Sequence, residues 1–211
     1  MKSLIALTST LFFPLFIFAS VPTLEQKDFS SLLKAAKNQS LPMTERWQSL
    51  TKAGEIAKPE QIDELKTFSK SSDWFMRNAA LVALESISLD EASDQARILI
   101  QDKALVVRSA AVSTLAKKMT RETKQIFASE LEKSYNYSGH QSLWIRPQMM
   151  QHLVKSVSVD DRHFLVRYLF DSDKKVAILS ANALEKITDV RFDEKNQIMK
   201  WQAYVKSNGW L

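Results

Sequence analysis

An all-α array, an α-solenoid of about five stacked helical hairpins plus a C-terminal capping helix, is the fold this sequence predicts. Three observations predict it. The 211 residues include only three Gly and five Pro, so the chain is poor in the residue that tight hairpins and phosphate-cradling loops draw on for positive φ. It is 45% hydrophobic and 25% charged, too apolar for a disordered chain and long enough for one core or one elongated array. A pattern also returns at a fixed interval: Arg77, Ala80 and Leu84 superpose on Arg108, Ala111 and Leu115 at a spacing of 31.

Each unit follows from that register. Stepping back by 31 from Arg77 reaches Arg46, with Ser49 and Ala53 at the small and apolar positions. Stepping forward from Arg108 reaches Arg146, Met149 and Leu153 after 38, an insertion of seven, and then Ala177, Ser180 and Leu184 after a further 31. Apolar or small residues three and four apart share one helix face. A second amphipathic stretch precedes each segment: Leu32 with Leu33 and Ala36, Ile62 with Leu65 and Phe68, Ala96 with Leu99, Phe127 with Leu131, and Leu165 with Tyr168. Each unit is therefore a hairpin of two helices. Start signals agree, with Pro59 in a first turn, Thr120 as a cap, and Ser158 with Asp161 as a capping box. One hairpin cannot bury its apolar faces alone, so neighbours must stack.

The pattern Val/Phe-x-Arg-x-x-Ala-x-x-x-Leu, kept at Arg77, Ala80 and Leu84 and at Arg108, Ala111 and Leu115, resembles the HEAT repeat family, especially its short bacterial, phycobilisome-lyase-like version. The closing run from Leu184 to Asp193, followed by Trp201 and Tyr204, is similar to the end of many such arrays. The pattern departs at Pro147 and Met149 in the fourth unit and at Ala177 in the fifth. The resemblance implies a structural role for the repeated Arg, bonding an Asp or carbonyl of the adjoining turn, as Asp102 would serve Arg108.

Residues 1–20 open with Lys2, run through apolar residues from Leu4 to Ala19 and end at the small pair Ala19 and Ser20. This is the pattern of a secretory signal peptide, too short for a comfortable span. The expected organisation is a signal peptide over 1–20, the repeat domain over 21–211, and a soluble periplasmic or secreted product without stable membrane insertion. No cysteine is present, which excludes disulfides, thiol catalysis, cysteine-based metal sites and lipid attachment through Cys.

Catalytic patterns are lacking. His140, His152 and His163 fit no zinc spacing, and no Gly-x-Ser-x-Gly occurs. Ser31 to Lys34 spells Ser-x-x-Lys, but on an amphipathic helix without its usual companions. Asp160, Asp161, Asp171 and Asp173 sit at helix starts, where carboxylates satisfy free N–H groups. The basic stretch from Lys103 to Lys124 would suit phosphate on one concave stripe, yet Glu122, Glu130 and Glu132 follow it. Neither catalytic nor cofactor or metal residues are expected, and nucleic acid is not the expected partner.

The insertion from Ser134 to Trp144 carries two Tyr, a Gly, a His and a Trp. Insertions in repeats map to loops on one edge, often the binding edge, and Tyr and Trp make good anchors. Tyr135, Tyr137, His140, Trp144 and Arg146 are the expected partner-binding residues; Trp144 and one Tyr folding back to fill the array is the equal alternative. Trp47, Trp74 and Trp201 fall on periodic helices and are expected in the core, with Trp210 sealing the last unit. The function expected is a monomeric, non-catalytic module that binds another envelope protein, an acidic one by the net charge of +5, as an inhibitor or immunity factor of a hydrolase or as an assembly adaptor. The alternative is an enzyme or nucleic-acid repair module, lyase-like or glycosylase-like, on the same scaffold.

Overall fold

The computed structural model describes residues 28–139, 141–193 and 195–211. The expected signal peptide and His140 lie outside them. Among the described residues there are eleven α-helices, and one two-stranded ribbon is the only sheet. The chain is an all-α helical-repeat protein.

The helices form five sequential pairs: α1 (Phe29–Lys37) with α2 (Met43–Ile56), α3 (Ile62–Thr67) with α4 (Trp74–Glu85), α5 (Leu89–Leu99) with α6 (Leu105–Ala116), α7 (Arg121–Glu130) with α8 (Ile145–Leu153), and α9 (Arg162–Tyr168) with α10 (Lys174–Thr188). The second helix of each pair also packs on the second helix of the next, from α2 through α4, α6 and α8 to α10, and α11 (Gln197–Ser207) follows on α10. These second helices have neighbours on several sides, which is why α4 and α6 bury seven and six residues in twelve. The first helices bury one stripe each, such as Ala92, Ala96 and Leu99 on α5, as an amphipathic surface helix does.

Local chemistry sets the ends. Ser88 and Thr120 accept hydrogen bonds from the N–H groups of Glu91 and Thr123 at the starts of α5 and α7, satisfying donors that the helix leaves without partners. Ser158 and Asp161 form the expected capping box, and Pro59 opens the turn that leads into α3. Close approach of α2 to α4 is set by Gly54, where a Cβ would lie 2.5 Å from the Cα and carbonyl oxygen of Ala83.

The apolar interior falls into two clusters. One runs from Leu32 to Ala92 and the other from Leu81 to Val205. Helix α4 joins them, giving Leu81 to the second and Met76, Ala80 and Leu84 to the first. At the far end Trp201 is fully buried, with Phe192, Tyr204 and Trp210 stacked edge to face around it and each other. This aromatic cluster covers the last pair. No described helix is long and apolar enough to cross a membrane.

Candidate functional site

The repeated Arg side chains lie inside the array. Arg77 donates through Nε and Nη2 to both carboxylate oxygens of Asp102, at 2.6 and 2.7 Å, and through Nη1 to the carbonyls of Ser71 and Ser72. Each such Arg ties its own inter-helix turn to the turn of the next unit. Arg146 repeats the arrangement on Asp171, at 3.1 and 2.6 Å, and adds the Leu131 carbonyl. Arg108 bonds Asp102 as expected, but through its carbonyl, with that of Lys103 beside it, while Arg77 holds the carboxylate. The forward partner of Arg108 is Asn136, with the Tyr135 carbonyl beside it. Arg46 departs too, pairing with Asp73, since Ser71 occupies the place that Asp102 fills one unit later.

Electrostatics follow the partner. The Asp102 hydrogen bond raises the Arg77 pKa above its ordinary value. Burial works against the Arg146 charge, but Asp171 outweighs it and the pKa again rises. Arg108 has only a neutral amide in front, so burial prevails and lowers its pKa. For Asp102, burial raises the pKa, but hydrogen bonds from Arg77 and the Ala104 N–H overcome it and leave the carboxyl below its usual range.

These contacts explain much of the insertion. After α7 the chain makes a short turn at Ser134–Asn136 and a ribbon of β1 (Tyr137–Ser138) and β2 (Gln141–Ser142). Asn136 is fully buried and donates to the Glu130 carbonyl while accepting from Arg108. The rings of Tyr135 and Tyr137 lie over the guanidinium groups of Arg108 and Arg146, at 5.3 and 4.4 Å. Tyr135 also donates to the Glu130 carboxylate. Burial, followed by that carboxylate, raises its pKa, and burial raises that of Tyr137. Of the expected binding residues, Arg146 is 1% exposed and fully engaged, the two tyrosines are anchored by one face, and Trp144 is 53% exposed. The insertion both fills and projects.

Trp144 is one of five exposed apolar residues that no single motif announces. Each second helix exposes a large apolar side chain at or near its start, Met43, Trp74, Val106, Trp144 and Ile178, all between 42 and 53% exposed, and α2 exposes Ile56 at its end as well. Trp74 departs from its expected place in the core, because as the first residue of α4 it has no preceding helical turn to cover it. Trp47 is half-buried and donates to Asn78 at 3.1 Å, and Trp201 is enclosed. The tryptophans therefore do not line one common trough.

Beside Trp144 a groove runs between α8 and α10, bordered by Gln148, Gln151, Lys175 and Ile178. Ile178 also borders a wider groove of about 870 Å³ between α10 and α11, which reaches Lys174, Asn182, Gln197 and Met199. Ile178 thus stands between the two grooves, and Asp171 and Glu185 line the wider one as well. Lys174, Lys175 and Met199 are not among the residues expected from sequence; the available signal is a pair of lysines in the first turn of a helix, where the backbone dipole disfavours cations.

Charge is uneven as well. Residues 28–100 hold nine basic and eleven acidic side chains, net −2, whereas 101–211 hold eighteen and twelve, net +6. Among the described residues, no three His, Asp or Glu side chains gather as a metal site.

Fold and composition define the class, an all-α helical-repeat protein with its net positive charge in the C-terminal half. Compared with known proteins, the chain matches no family model and is similar to no curated protein.

Proposed function

We propose that the chain is a non-catalytic, HEAT-like protein-binding module that is exported by the signal sequence at its start and captures an acidic protein outside the cytoplasm. The exposed large apolar side chain near the start of every second helix carries this reading. A large apolar side chain such as Trp144 at the water boundary gains most when a partner covers it. The surrounding cations favour encounter with an acidic surface. Tyr135 and Tyr137 stiffen the loop that presents Trp144. Inhibition of a hydrolase and assembly of a larger complex are both served by such capture; loss of the partner's activity on binding distinguishes the first.

The test is in-cell crosslinking of the tagged full chain with identification of the bound protein, run in parallel with Trp144→Ala. We expect one stoichiometric partner, with recovery reduced about tenfold by the substitution. Equal recovery with the Trp144→Ala variant would remove this face from the interaction. No partner under any condition would favour the enzyme reading.

A further inference from the structure

We infer that the groove between the C-terminal ends of α6 and α8 is an oxyanion site, which holds a carboxylate of the acidic partner against Lys117, His152 and Lys155. This deepens the protein-binding reading and rests on it.

The donors come first. The groove encloses about 250 Å³ and is lined by those three side chains together with Ser113 and Ser156, and none of the described residues lining it is acidic. Lys155 is exposed and forms no ion pair among the described residues. Lys117 gives one hydrogen to Glu85, at 2.8 Å, and an ammonium has two more. Ser113 accepts from Gln148, so its O–H is left to donate. The Ser156 carbonyl, which would repel an anion, is taken by Lys124 of α7.

Helix ends supply a simpler reason for lysines, since the backbone dipole favours a cation in a last turn. That reason covers each lysine singly, but the repeat shows that the position does not require one. Nine residues after the repeated Arg stand Glu55 in the first unit and Ser86 in the second. Lys117 and Lys155 hold the same position in the third and fourth. The cations are thus a property of these units, not of the fold.

His152 completes the cluster. It lies in the last turn of α8, half-buried, with its ring tilted against Phe127 of α7 at 6.4 Å between centroids. The charged groups around it are Lys155 on its own segment, Lys117 of α6 with Glu85 of α4 bound to it, and Lys124 of α7 behind Ser156. Burial, followed by the charge of Lys155, lowers its pKa. An anion in the groove would offset that charge and favour the protonated ring, so anion and proton should bind cooperatively. Trp144 stands at the other end of α8, about 12 Å away along its axis, within the span of one protein interface.

The probe is oxalate, a dicarboxylate that keeps both charges from pH 5.5 to 8, titrated into the purified full chain against chloride at constant ionic strength. Imidazole proton resonances report the result. We expect His152 to titrate at a higher pH in oxalate than in chloride, with His163 unmoved, and oxalate to bind more tightly at pH 5.5 than at pH 8. Lys155→Gln should weaken binding about threefold or more, and Lys155→Arg, which keeps the charge, should restore it. Equal oxalate binding by Lys155→Gln, or a His152 resonance indifferent to oxalate, would overturn the inference and leave the lysines to serve the helix ends. In cells, crosslinking to the partner should also fall with Lys155→Gln. Unchanged recovery with that variant, beside a loss with Trp144→Ala, would overturn the occupant and leave the protein-binding reading standing. Indifference to both substitutions would sink the two together.

Discussion

Arg146 and Trp144 are two residues apart and have opposite roles, which makes them a sharp pair for experiment. Arg146 reaches into the array, bonding Leu131 in its own hairpin and Asp171 in the next. Its removal strands a largely buried carboxylate and a carbonyl, so Arg146→Ala should lower unfolding free energy by about 3–5 kcal/mol. Trp144→Ala takes away a side chain that is mostly in water already, and the change should stay within about 0.5 kcal/mol. Urea unfolding of both variants measures this directly; equal losses would mean that Trp144 packs on the array. A second residue-scale prediction concerns Asp102. Its pKa is depressed in the folded chain, so the pair with Arg77 stabilises at pH values above the unfolded carboxyl pKa of about 3.9 and loses that contribution as pH falls through the lower folded value. The melting temperature of the parent protein should exceed that of Asp102→Asn at neutral pH, with the gap closing below about pH 4. A gap independent of pH would assign the effect to packing.

Among the elements, α2 and α4 show how narrow the tolerance of the stack is. Gly54 in mid-helix forgoes about 1 kcal/mol of helix propensity relative to Ala, and a substitution to Ala would ordinarily recover it. Here the added Cβ would lie 2.5 Å from backbone atoms of Ala83, and backbone cannot swing aside as a side-chain end can. Gly54→Ala should therefore destabilise by about 1–3 kcal/mol, measurable by chemical denaturation; a gain in stability would show that α2 and α4 can separate without loss. The sequence reveals the helices themselves because periodic small and apolar residues report which face is buried, as at Arg77, Ala80 and Leu84. It does not reveal that Gly54 meets Ala83, since close backbone approach depends on how neighbouring units stack. The same reason hides the partner of Arg108. A rule drawn from Arg77 and Arg146 asks for an Asp, but the insertion supplies Asn136 from a turn whose shape no repeat register specifies. Of the candidate binding residues, Trp144 is legible as an aromatic within an insertion, while Ile178 joins it only through the packing of α8 on α10.

At the scale of the whole molecule, the two apolar clusters and the two charge regimes divide the chain at nearly the same place. The first two hairpins share one cluster and carry no net charge; the last three, with α11, supply most of the other and carry the positive excess. In repeat proteins each unit is stabilised mainly by its neighbours, so damage at one end need not reach the other. Trp201 is the largest fully buried side chain and belongs to the second cluster. Trp201→Ala should cost about 3–5 kcal/mol there, and native-state hydrogen exchange should show where that cost is felt. Amides of α9, α10 and α11 should lose protection most, those of α6 and α8 less, and those of α1 and α2 hardly at all. Helix α4, which serves both clusters, marks where the loss should fade. A uniform drop from α1 to α11 would instead mean that the array unfolds as one cooperative unit, and would tie the exposed Trp144 at the start of α8 to the stability of hairpins that share no side chain with it.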